Sequence, residues 1–131
     1  MSAFQTAHAF SGFSVDDIDA AHRFYGDVLG MDVTVNAMGF LDLRLPQGGS
    51  ILVYPKPNHT PASFTILNFP VADVDAAVDD LNARGVVTKI YSDPDLGTDA
   101  KGIARGGPGR GPDIAWFTDP AGNVLSVLAA G

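Results

Sequence analysis

Residues 8–15 alternate as an extended chain does: Ala9, Ser11, Phe13 and Val15 fall on one side, and His8, Phe10, Gly12 and Ser14 on the other. The period then changes. Ile18, Ala21, Tyr25, Val28 and Leu29 recur at helical spacing, and Gly30 stands where a helix-ending glycine belongs. The same switch occurs again further on. SFTILNFPV (63–71) alternates, with Phe64, Ile66, Asn68 and Pro70 on one face. Pro70 sits near the strand's end, where a missing ladder donor is tolerated. Val74, Ala77, Val78 and Leu81 follow at helical spacing and end at Gly85. Asp17 and Asp73 precede the two helical stretches and are predicted N-caps. Asp19 and Asp75 add negative charge where the helix dipole favours it.

The two switches are copies. FSVDDIDAA (13–21) and FPVADVDAA (69–77) share Phe, Val, two Asp and two Ala at a constant offset, 69 − 13 = 56, and a repeat on this scale sets the architecture. In the first copy MDVTVN (31–36), FLDLRL (40–45) and SILVYP (50–55) read as strands, the last two joined through Pro46-Gln47-Gly48-Gly49. In the second, VVTKIY (86–91), DIAWFT (113–118) and NVLSVL (123–128) read as strands, the last two joined across Asp119-Pro120-Ala121-Gly122. The predicted order is β-α-β-β-β twice, an α+β domain of two modules, about 8–55 and about 63–129, with a Pro-punctuated linker at about 56–62 that holds His59. Residues 92–112 are rich in Gly, Pro and Asp, with Lys101, Arg105 and Arg110 embedded. Their GGPGRG run (106–111) fits neither the P-loop nor the dinucleotide pattern, so a mobile flap is expected there.

Composition narrows the function classes. At 131 residues and a net charge of −7 the chain suits neither nucleic acid nor an acidic membrane surface, and is compatible with a cationic ligand. With no Cys there is no disulfide, thiolate or Cys-based metal site. No run is long and apolar enough to span a membrane, and the N-terminus lacks a basic leader. A cytoplasmic location is the expectation.

The FSVDDIDAAHRFYGDVLGM and IAWFTDPAGNVLSVL segments resemble the vicinal oxygen chelate superfamily, the group of glyoxalase I, extradiol dioxygenases, fosfomycin-resistance enzymes and bleomycin-resistance proteins. Val15, Asp17, Phe24, Tyr25, Leu29 and Gly30, then Phe117, Asp119, Pro120, Gly122 and Asn123, carry the resemblance. It implies a curled mixed sheet in which each module forms half of a U-shaped cleft, and a homodimer. It also implies a divalent metal held by His and Glu at four cleft positions. Those positions fall on Phe10, Ile66 and Ser126 and, aligning Gly49 with Gly122, on Val53. Phe, Val and Ile cannot ligate a divalent ion and a lone Ser hydroxyl is a poor ligand, so no metal cofactor is expected. His22 lies on a helix and His59 in the linker, and only His8 shares a face with Phe10. Whether His8 or His59 serves a non-standard metal site stays open.

By alternation the cleft lining comprises Phe10, Phe40, Asp42, Arg44, Val53, Phe64, Ile66, Asn68, Trp116 and Ser126. Phe13, Leu41, Leu43, Leu67, Phe69 and Phe117 point to the helices. Three function classes fit. The chain binds a small organic molecule, cationic or aromatic, as the bleomycin-resistance branch sequesters a drug. Alternatively it is a lyase, isomerase or dioxygenase-like enzyme using a non-standard metal or acid–base groups such as His8, Asp42 and Arg44. The third class is an accessory interaction domain.

Overall fold

A computed structural model describes residues 3–92, 96–109 and 111–130. The chain divides into two compact units, Met1–His59 and Thr60–Gly131. The first unit holds β1 (Ser11–Val15), α1 (Ile18–His22) continued by a π-helical turn (Arg23–Val28), β2 (Asp32–Val35), β3 (Leu41–Arg44) and β4 (Ser50–Pro55). Its sheet runs β1-β4-β3-β2, with β1 parallel to β4 and the other pairs antiparallel. The second holds β5 (Thr65–Val71), α2 (Val74–Ala83), β6 (Ile103–Ala104), β7 (Ile114–Thr118) and β8 (Val124–Ala129). Its order is β5-β8-β7-β6, with β5 parallel to β8. Each unit is therefore a β-α-β-β-β module with a four-stranded mixed sheet. Among the described residues no helix is long and apolar enough to cross a membrane.

The capping logic holds in both modules. Asp17 accepts from the backbone N–H groups of Asp19 (3.0 Å) and Ala20 (3.1 Å), and Asp73 accepts from that of Ala76 (3.1 Å). Gly30 and Gly85 close the helices at φ 77 and 86, a backbone conformation that costs glycine nothing. One face of each sheet packs on its helix. In the first unit Val15, Leu41, Leu43 and Val53 are buried with Tyr25, whose ring centroid lies 5.8 Å from that of Phe13. In the second, Ala115, Phe117, Leu125 and Val127 are buried with Val74 and Val78 of α2, and Phe69 stacks on Phe117 at 6.4 Å.

One expectation is corrected. VVTKIY (86–91) forms no strand. It runs instead beside residues 101–102: the Thr88 hydroxyl donates to the Lys101 carbonyl at 2.7 Å. Gly102, at φ 88, lies so close that an added Cβ would stand 2.0 Å from the Thr88 carbonyl oxygen. Alternation marks an extended chain but not its partner, and the sheet edge goes to β6. Residues 92–112, of which 93–95 and Arg110 lie outside the described residues, also hold more local structure than their Gly, Pro and Asp content predicts. Besides β6 they carry a charge network tied to α2. Arg105 grips Asp75 through two hydrogen bonds (2.8 and 2.9 Å) and reaches Asp99 at 2.9 Å, and Lys101 pairs with Asp79 at 2.8 Å.

This network has a pH signature. The Arg105 hydrogen bonds hold the Asp75 carboxyl down at about 2. A depressed carboxyl stabilises the folded arrangement above its unfolded pKa, near 3.8, and that contribution fades as pH falls from there towards 2. An NMR titration of Asp75 should give a midpoint near 2 in the native protein and a higher one in Arg105→Ala, still held down by Lys101, whose Nζ lies 3.7 Å from the carboxylate. An unchanged midpoint in the variant would show that the grip does not form. The pair is solvent-exposed, so global stability should change little.

Candidate functional site

The sheet face turned away from each helix presents the candidate site residues. In the first unit one row across the sheet is Gly12–Leu52–Asp42, and the next is Ser14–Tyr54. Asp42 belongs to this face as expected, and so does Arg44, which pairs loosely with Asp32 at 3.9 Å. Val53 does not. It pairs with Phe13 on one side and Leu41 on the other and is fully buried against the helix. The hairpin hydrogen bonds explain the slip. Leu45 N–H donates to Gly49 O and Gly48 N–H to Leu45 O, as Asp119 N–H donates to Asn123 O and Gly122 N–H to Asp119 O. Gly48, not Gly49, therefore matches Gly122, and Leu52 is the counterpart of Ser126. Phe10 precedes β1 and is 67% exposed. Phe40 flanks β3, its N–H donating to the Asn36 side-chain oxygen at 3.1 Å.

In the second unit the matching row is Trp116–Ser126–Asn68, across β7, β8 and β5. Ser126 is fully buried and its hydroxyl donates to Asn68 Oδ1 at 2.5 Å. Trp116 is half-buried, with the Tyr91 ring edge-on at 5.3 Å. Phe64 lies ahead of β5 and is 69% exposed. A register shift between Thr65 and Leu67 breaks the alternation at Ile66: Thr65, not Ile66, pairs with Val124, two residues before Ser126. The expected face thus keeps Asn68, Trp116 and Ser126 in one row, while Phe64 falls outside the ladder.

Three features went unread in the sequence. Leu52 was hidden because Gly48-Gly49 offers two glycines where the other turn has one. Tyr91 was placed in a strand that does not form. His59 Nδ1 lies 2.7 Å from Ser14 Oγ, tying the linker to β1, and no local pattern signals that contact. His8 is exposed and precedes β1.

The divalent metal that the resemblance implies can be tested against these side chains. Its four positions are Phe10, Leu52, Ile66 and Ser126. None is a carboxylate or imidazole, and the one hydroxyl is committed to Asn68. Among the described residues no group of three His, Cys, Asp or Glu side chains could hold a metal ion. The residues do not fit the metal.

The family model of the Glyoxalase/Bleomycin resistance protein/Dioxygenase superfamily matches residues 6–127. No curated protein matches the sequence. Solved structures do. The antibiotic-binding protein TnmS3 from Streptomyces sp. CB03234 is 23% identical, with 100% of both chains covered and a TM-score of 0.66. A glyoxalase/bleomycin resistance protein from the same Streptomyces strain is 25% identical over 93% of this chain and 99% of its own, with a TM-score of 0.60. The oxidase ChaP-H2 is 20% identical over 98% of this chain and 96% of its own, with a TM-score of 0.63.

Proposed function

The chain belongs to the Glyoxalase/Bleomycin resistance protein/Dioxygenase superfamily, and from that premise we propose that it binds a small organic molecule with an aromatic part, without the family's metal and without turning it over. The observation that carries this reading is the Trp116–Ser126–Asn68 row with Tyr91 set edge-on to the indole. Two aromatic rings at an angle offer a wall for a flat ligand, and a few placed polar groups orient it. TnmS3, an antibiotic-binding protein of similar fold, is a precedent for ligand capture on this scaffold. Turnover by acid–base groups has less support, since His8 is exposed and lies ahead of β1, apart from Asp42 and Arg44 within β3.

Aromatic compounds that bind should shift the emission of Trp116, the only Trp in the chain. Trp116→Ala should weaken them by about 1–2 kcal/mol, judging from aromatic-pair and cation–π magnitudes. A ligand that leaves emission unchanged and binds the variant equally well would remove the proposal. The reading extends to a homodimer, supported by the exposed Phe10, Met38 and Phe64, apolar side chains of the kind that interfaces bury. Light scattering should then return about twice 13.7 kDa, and a monomer mass would reject that part.

A further inference from the structure

We infer that the Trp116–Asn68 row selects aromatic ligands that carry a hydrogen-bond acceptor, the class of aryl ketones and related carbonyl compounds, over cationic aromatics. This rests on the binding reading above and deepens it. The polarity is set by Ser126. That residue is fully buried, and its hydroxyl proton is given to Asn68 Oδ1. The carboxamide is thereby turned with its oxygen towards β8. Asn68 is itself exposed, and its NH2 group has no partner among the described residues. An amide nitrogen donates only, and so does the indole N–H at the other end of the row. Both ends therefore offer protons. A cation brought to Asn68 would meet N–H groups, whereas a carbonyl oxygen would be bonded.

The row also sets a length. Trp116, Ser126 and Asn68 sit on three successive strands, and strands are spaced about 4.8 Å apart, so the indole and the amide lie roughly 10 Å from each other. A two-ring aromatic resting on Trp116 with a short acceptor arm spans that distance. Ser126 is a positioning residue: it does not meet the ligand but fixes which end of the Asn68 amide does.

Three probes with one ring system separate the possibilities: 2-acetylnaphthalene, 2-ethylnaphthalene and 2-(aminomethyl)naphthalene, each titrated by Trp emission. The ketone should bind about 5- to 10-fold more tightly than the ethyl compound, as one hydrogen bond allows, and the ammonium probe should bind most weakly. Asn68→Asp replaces donors with a carboxylate and should reverse the order, favouring the ammonium probe. Ser126→Ala frees the amide to turn and should erase the ketone preference, while Ser126→Thr, which keeps the hydroxyl, should restore it. If the probes bind through Trp116 but the ketone holds no advantage, or keeps it in Asn68→Asp, the inference is overturned and the binding reading stands. If Trp116→Ala binds all three as well as the native chain does, the binding reading itself falls, and this inference with it.

Discussion

Asp119→Ala is expected to lower the stability of the second unit by about 3–5 kcal/mol, measured by urea unfolding. Asp119 is buried, and its carboxylate holds the β7–β8 turn from within. One oxygen accepts from the backbone N–H groups of Ala121 and Asn123, both at 2.9 Å, and the other from the Asn123 side-chain amide at 3.1 Å. The Asn123 side-chain oxygen in turn accepts from Ala62 N–H at 3.2 Å, tying the turn to the segment entering β5. An Ala here strands three donors, and each buried donor left unmatched costs about 1–3 kcal/mol, though such costs do not simply add. Asp119→Asn keeps an acceptor and should fall between Ala and the native residue. The first unit supplies the comparison. Leu45 occupies the equivalent place and closes its turn with backbone bonds alone, so Leu45→Ala should leave that turn intact. A loss below about 1 kcal/mol for Asp119→Ala would show that solvent replaces the carboxylate without penalty.

Phe117→Ala should cost about as much, 3–5 kcal/mol, by a different route: lost burial plus the cavity left behind. Phe117 is 1% exposed, opposes Leu125 on β8 and stacks on Phe69. Phe117→Leu fills most of the space and should cost less than about 1.5 kcal/mol. Thr118→Ala, one residue along on an exposed side chain, should change stability by no more than about 0.5 kcal/mol. Thermal or urea melts of the three variants decide the order. The outcome bears on function as well as on the core. If Phe117→Ala were no worse than Thr118→Ala, the faces of β7 would be exchanged, and Trp116 would point at the helix.

The module order, both caps and both closing glycines were legible because each depends on local pattern: a change of period, an Asp before it, a Gly after it. The α+β fold with two β-α-β-β-β copies follows from those signals, whereas the family rests on the resemblance of the two motif segments and the model match over residues 6–127. The candidate faces were legible only where alternation ran unbroken, as at Asn68, Trp116 and Ser126. It failed at Val53 because a single alignment of two turns cannot choose between Gly48 and Gly49; the backbone hydrogen bonds choose, at an offset of 122 − 48 = 74. Subtracting the offset of the two closing glycines, 85 − 30 = 55, leaves 74 − 55 = 19 residues by which the second copy is longer between helix and hairpin. That extra length includes the charged stretch around Lys101 and Arg105, and beside it lies the 86–91 run, whose alternation predicts a strand that does not form. Which segment reaches a sheet edge across such a loop is settled by tertiary contacts, here Thr88 with Lys101 and Arg105 with Asp75.

The π-helical turn in the first unit settles a mismatch between the two copies. From capping Asp to closing Gly the first helix takes 30 − 17 = 13 steps and the second 85 − 73 = 12. In a regular α-helix one additional residue rotates everything beyond it by about 100°, which would swing one end of the helix off its sheet. The chain absorbs the insertion instead by widening one turn: Leu29 N–H reaches back five residues to Phe24 O, at 2.9 Å, rather than four. Tyr25 stays buried, and both ends keep the geometry of the shorter copy, an Asp cap and a positive-φ glycine. The first helix thus behaves as a length buffer, able to gain a residue without moving its anchor points, whereas the second, regular from Val74 to Ala83, shows no such slack.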